Sequence, residues 1–248
     1  MVEATPPELK VFHSLWGFSG DWHEAIARAK ASGFDGLEVN LLHPSLGGFE
    51  PLRLIEALKV SQLGLIVELV TGGDYVPDLS VAPEQHLAEL SEQLPRAERL
   101  QPERITLITG SDSWSEAQQD HFLEAVLDLV EVCTVPVSLE THRSRTLFNP
   151  WTITDRLARH PRLRLTADLS HWCAVSERLM TPELGLISAM ADRVDHIHAR
   201  VGHAQGPSVS HPFAPEAREA LEAHRRCWAL FMESQIARDV QHPTITPE

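Results

Sequence analysis

The stretch LRLTADLSH, residues 163–171, decides the fold. A β-strand sends successive side chains to opposite faces, so a slip of one residue would exchange the two sets. Here Leu163, Leu165, Ala167 and Leu169 make one apolar face, which leaves Arg164, Thr166 and Asp168 on the other. Three more segments divide in the same way. In PVSLETH, Val137 and Leu139 oppose Ser138 and Glu140. In DHIHARV, Ile197 and Ala199 oppose His196, His198 and Arg200, and in PTITPE, Ile245 opposes Thr244, Thr246 and Glu248. The apolar faces require helices to cover them, and the polar faces meet in a common interior.

Working outward, strand-like segments alternate with helix-like ones along the whole chain. The strands read at Leu9–Trp16, Gly36–Leu42, Gly64–Val70, Arg104–Thr109, Val137–Thr141, Leu163–Leu169, His196–Val201 and Thr244–Glu248. Between them, stretches such as DWHEAIARAKASG, EPLRLIEALKVSQ and SEAQQDHFLEAVLDLVEVC place apolar residues at helical spacing. Ser19 or Asp21 is positioned to cap the first helix, and Gly33 to end it. Strands joined through helices pair in parallel, and eight such units over 248 residues match a (β/α)8 barrel of roughly 250 residues. An open doubly wound sheet would need an early Gly-rich phosphate turn, and WGFSGDW after the first strand lacks GxGxxG. We therefore expect residues 1–248 to form one α/β barrel domain. The sequence ends at Glu248, as the eighth strand ends, so the helix that would close the ring is missing. We expect a further tail in the native protein to supply it.

Composition narrows the function. A net charge of −14 repels a phosphate backbone, so nucleic acid is not the expected partner. Cys133, Cys173 and Cys227 are odd in number, far apart and without a CxxC pair, which argues for a reducing compartment. MVEATPPELK is no secretory leader, and no apolar run is long enough to span a bilayer. The expectation is a soluble, cytoplasmic protein. Its outer helices allow a homo-oligomer without fixing a subunit number.

Glu38 in FDGLEVN and Glu68 in LIVELV also fall at strand ends, so five carboxylates could converge on one mouth of the barrel. Packed carboxylates repel unless they are protonated, paired with cations or share a metal ion. Arg143, Arg145, Arg164 and Arg200 could neutralise some of them. Two Glu, one Asp and one His at Glu140, Glu248, Asp168 and His198 form an oxygen-rich donor set. Such a set suits one divalent Mn²⁺, Mg²⁺ or Co²⁺, and Zn²⁺ is also compatible. His196 lies on the same face as His198 and is expected one layer deeper. His13 and Trp16 could line a ligand pocket, and GHAQGPSVSHPFAPE after the seventh strand could form a lid.

Through ADLSHW and HIHARVG the chain resembles the xylose isomerase-like TIM barrels, the sugar phosphate isomerase/epimerase family. The resemblance runs from the LEVN of the second strand to the terminal TPE. It implies that Glu140, Asp168, His198 and Glu248 ligate one divalent cation, that His171 touches a substrate oxygen, and that Arg200 binds a hydroxyl, carboxylate or phosphate. Glu38 and Glu68 join His13 and Trp16 as expected substrate-binding residues. The implied reaction is isomerisation or epimerisation of a small sugar, sugar phosphate or keto acid. Glu140 and Glu248 would move the carbon-bound proton through a metal-stabilised enediolate, a role in carbohydrate metabolism. The alternatives are a dehydratase of the inosose dehydratase kind, an endonuclease IV-like nuclease and a non-catalytic sugar-binding barrel.

Overall fold

The computed structural model describes residues 7–47 and 50–248, and residues 1–6, read above for a leader, lie outside them. Eight parallel strands close into one ring in sequence order. They are β1 (Lys10–Ser14), β2 (Gly36–Asn40), β3 (Gly64–Val70), β4 (Arg104–Ile108), β5 (Val137–Glu140), β6 (Leu165–Ala167), β7 (Val194–Ala199) and β8 (Thr244–Pro247). The helices are α1 (Trp22–Ala31), α2 (Pro51–Ser61), α3 (Pro83–Glu98), α4 (Glu116–Val130), α5 (Ile153–Arg159), α6 (Leu169–Ser176), α7 (Gly185–Met190) and α8 (Arg218–Ala237). The barrel and its strand order are as expected from the alternation. Both α6 and α7 serve the connection between β6 and β7, and α8 precedes β8. Past β8 the described residues hold only Glu248. An apolar groove runs there along β1 and β8, lined by Leu9, Val11, Phe213, Trp228 and Ile245.

Strand ends differ from the sequence reading where another interaction takes over the backbone. β6 stops at Ala167 because Asp168 turns to cap α6, its carboxylate accepting from the Ser170 amide at 2.8 Å. At α1 the cap is Asp21, not Ser19, in a reciprocal capping box with Glu24. Gly33 follows with a left-handed φ of 75°. The ring interior is polar, as the split faces require. Ser138, Thr106 and Thr166 share hydroxyl hydrogen bonds across β4, β5 and β6. His196 bonds Thr244 at 2.7 Å. At the floor, Phe12 lies so close to Gly36 that a Cβ there would sit 2.4 Å from its ring. Among the described residues no helix is long and apolar enough to cross a membrane.

His86 on α3 is fully buried and ties down the turn after β3. Its Nδ1 lies 2.7 Å from Thr71 Oγ1, which lies 2.6 Å from Thr109 Oγ1. Trp114 and Phe122 pack edge-on to the ring. Burial, helped by the Arg145 charge, pushes its pKa down to about 4. The unfolded chain then binds a proton that the fold does not, between an ordinary His value near 6.5 and about 4. The contribution is therefore complete above pH ~6.5 and is lost as pH falls. We expect the urea midpoint of the wild type to decline over that window, and His86→Asn to flatten the decline. An unchanged slope in the variant would remove His86 from the account.

Candidate metal centre and substrate cleft

Closure of the ring brings the C-terminal ends of β5, β6, β7 and β8 together, and with them the four residues expected to share a cation. His198 is the centre of the arrangement. Its Nε2 bonds Glu38 Oε1 at 2.9 Å, which turns Nδ1 toward Glu140 Oε2 at 3.4 Å and Glu248 Oε1 at 3.5 Å. Glu140, Asp168 and His198 present ligand atoms within 4.8 Å of one another. Two of these groups carry atoms without partners. Glu140 Oε2 and His198 Nδ1 are buried and make no hydrogen bond. Buried polar atoms without partners are costly, and once His198 gives up its proton this oxygen and nitrogen together fit a divalent cation. The donor set fits as well, being oxygen-rich with one imidazole.

Glu38 departs from its expected place in the substrate pocket. It sits below the mouth, where its Oε2 also meets His196 Nε2 at 3.1 Å. There it fixes the orientation of His198 from behind, the usual service of a carboxylate to a metal-ligating histidine. Burial opposes ionisation of Glu38, yet His198 and His196 outweigh it and hold the carboxyl well below its ordinary range. Burial likewise opposes charge on His198, and Glu38, Glu248 and Glu140 together raise its pKa well above the usual value. For Glu140 burial is again the largest influence, overridden by His198 and a hydrogen bond from His171, so it stays ionised. Glu248 balances differently: burial wins over His198 and Arg200, and its pKa rises to about 7.

Arg200 joins these groups. It donates to Asp168 Oδ2 at 2.7 Å and Ser170 Oγ at 2.9 Å, contacts His171 Nε2, and lies 3.6 Å from Glu248 Oε2. His171 Nε2 is 3.5 Å from both Glu140 and Asp168, at the edge of the ligand set. Above them opens a cleft of about 140 Å³ lined by Trp16, Glu68, Tyr75, Val76, Ile108, Glu140, His142, Arg143, His171, Arg200 and Glu248. Glu68 accepts from Tyr75 Oη at 2.7 Å and Asn40 Nδ2 at 3.1 Å. Burial, with Glu140 and Glu38 nearby, pushes it up to about 8.

The structure thus brings Glu140, Asp168, His198, Glu248, His171, Arg200, Glu68 and Trp16 to one mouth. His13 is not among them. Side-chain alternation turns it outward, stacked on Phe34 with ring centroids 5.0 Å apart and edge-on to Phe18. The segment after β7 lines no part of the cleft; Val209 pairs back to Val201, and Ser208, Pro212 and Phe213 face the groove beside β8. His43 and His211 cap local turns through Ser45 and Phe213 amides. Sequence reasoning named Arg143 only among the bases that could neutralise the carboxylates and assigned no site role to His142, Tyr75 or Asn40. Only the position of His142 and Arg143 just after Glu140 hinted at the cleft.

Neither a protein-family profile nor a curated protein matches the sequence. Solved structures do. The D-allulose 3-epimerase of Methylomonas sp., in complex with D-allulose, superposes over 99% of this chain and 85% of its own, with a TM-score of 0.63 and 17% identity. A xylose isomerase-like TIM barrel protein of Mycobacterium smegmatis in complex with magnesium covers 96% of this chain and 89% of its own, at TM-score 0.66 and 14% identity. The fold is that of the xylose isomerase-like TIM barrels. The probable 3-DHS dehydratase AsbF of Bacillus anthracis, involved in petrobactin synthesis, shares it at TM-score 0.65 and 17% identity, over 97% of this chain and 92% of its own. At such identities the likeness of this chain to the three is one of fold alone.

Proposed function

We propose that the protein is a divalent-metal-dependent isomerase or epimerase of a small sugar, sugar phosphate or keto acid. The observation that carries this is the pair of buried atoms without hydrogen bonds, Glu140 Oε2 and His198 Nδ1, facing each other at 3.4 Å beneath a cleft of about 140 Å³. Glu140, Asp168, His198 and Glu248 would hold the ion. When bound, it supplies electrophilic stabilisation to an oxygen beside the carbon that loses a proton. The chain's own residues do the rest. Glu248, at the end of β8 beside the cleft, is one carboxylate of the pair that would take up and return the carbon-bound proton. Glu140, held ionised, is the second carboxylate of the pair. His171 and Arg200 would orient substrate oxygens, and Trp16 and Val76 line the opening of the cleft. Solved neighbours crystallised with D-allulose and with magnesium make the same reading plausible chemistry for this fold.

The test begins with elemental analysis of protein purified without chelator, followed by NMR of ketoses, their phosphates and keto acids in D₂O. The expected outcome is about one divalent ion per chain and deuterium entering next to a carbonyl. Loss of water from the substrate would instead mark a dehydratase. Absence of bound ion, with no thermal stabilisation by Mn²⁺, Mg²⁺, Co²⁺ or Zn²⁺, would overturn the metal reading.

A further inference from the structure

The loop after β5 carries two arginines in opposite circumstances. Arg145 is buried, and its guanidinium donates to the backbone carbonyls of Thr71, Asp74, Tyr75 and Gly110. It is fully used in pinning the loops after β3, β4 and β5 to one another. Arg143, two positions earlier, lines the cleft, and its Nη1 is buried without any hydrogen-bond partner. Of the neighbouring carboxylates, Asp168 and Glu248 are engaged by Arg200 and Glu68 by Tyr75 and Asn40, while the unpartnered Oε2 of Glu140 faces His198 rather than Arg143. Among the described residues none pairs with Arg143.

The base of Arg143 is rigid. Its carbonyl is held by His142 Nδ1, Ser144 adopts a left-handed φ of 64°, and the Ser144 carbonyl accepts from the Asp112 amide at 3.3 Å. A guanidinium held in a partly dry cleft without an ion pair is unfavourable: burial together with the Arg200 charge depresses its pKa, and the Asp168 charge offsets this only in part. A ligand that brings an anionic group removes that cost and meets a planar fork suited to carboxylate or phosphate oxygens. We propose that the substrate of this site carries a carboxylate or phosphate group, and that Arg143 receives it at the mouth of the cleft. The inference rests on reading this cleft as the substrate site.

The experiment uses three related probes, D-glycerate, glycerol 3-phosphate and neutral glycerol, titrated calorimetrically into wild type, Arg143→Gln and Arg143→Lys, each with and without Mn²⁺. Metal content is measured in every sample. At least one anion is expected to bind wild type more tightly than glycerol. Arg143→Gln should weaken it roughly ten- to a hundredfold, with partial recovery in Arg143→Lys and unchanged metal content. Preference for glycerate identifies a carboxylate, and preference for glycerol 3-phosphate a phosphate. Anion binding unchanged in Arg143→Gln would place the anion on Arg200 or the cation and overturn the proposal, as would equal binding of all three probes. Failure to take up Mn²⁺ with Arg143-dependent anion binding intact would overturn the metal reading and leave this one standing.

Discussion

On the proposed function, Glu140→Gln is expected to remove the divalent ion and to lower turnover by roughly three orders of magnitude or more, because Lewis-acid stabilisation worth several kcal/mol would be lost with the ligand. The substitution keeps the shape of the side chain while taking away the charge that His198 and His171 face. His198 keeps its hydrogen bond to Glu38 and His171 its contact with Arg200, so the barrel should stay folded. Asp168→Ala is the informative companion. Asp168 caps α6 and pairs with Arg200, so its removal costs the ion and also about 1 kcal/mol or more of stability from the lost cap and stranded cation. Elemental analysis, urea denaturation and the D₂O assay on both variants check the pair. A Glu140→Gln protein that keeps its ion at wild-type affinity would sink the ligand assignment.

Trp172→Ala is expected to destabilise the fold by about 3–5 kcal/mol, the range for deleting a buried aromatic side chain. Trp172 is fully buried on α6, and its Nε1 donates to the Leu147 carbonyl at 2.9 Å, tying the helix to the loop after β5. Losing it leaves a cavity and an unsatisfied carbonyl together. In a chain of this size the melting temperature should fall by roughly 10 °C. Trp172→Phe keeps most of the packing and should lose only about the hydrogen bond, ~1 kcal/mol. The site should suffer with the helix, because α6 also carries Ser170 and His171 beside Arg200. A shift under ~3 °C for Trp172→Ala, read by thermal unfolding, would show that α6 is held by other contacts.

Period-two alternation is a local property, and it determined the barrel and the parity of the site. Glu140, Asp168, His198 and Glu248 had to share one face because each stands an even number of positions from an inward Ser138, Thr166, His196 or Thr246. The same rule, applied to β1, would have turned His13 outward with Val11, since inward Phe12 and Ser14 flank it; its nearness to the strand end misled. Where β6 ends was hidden, since a capping carboxylate and a strand residue look alike until the helix is in place. The tertiary structure alone decided who pairs with whom across the ring. Glu38 lies 160 positions from His198 and meets it only because β2 and β7 approach from opposite sides of a closed barrel. It also decided that Arg145 spends its charge on four backbone carbonyls while Arg143 keeps its own for the cleft. Chemical type and spacing along the chain are the same information for both arginines; the difference is distance in space, which depends on how every strand tilts and closes.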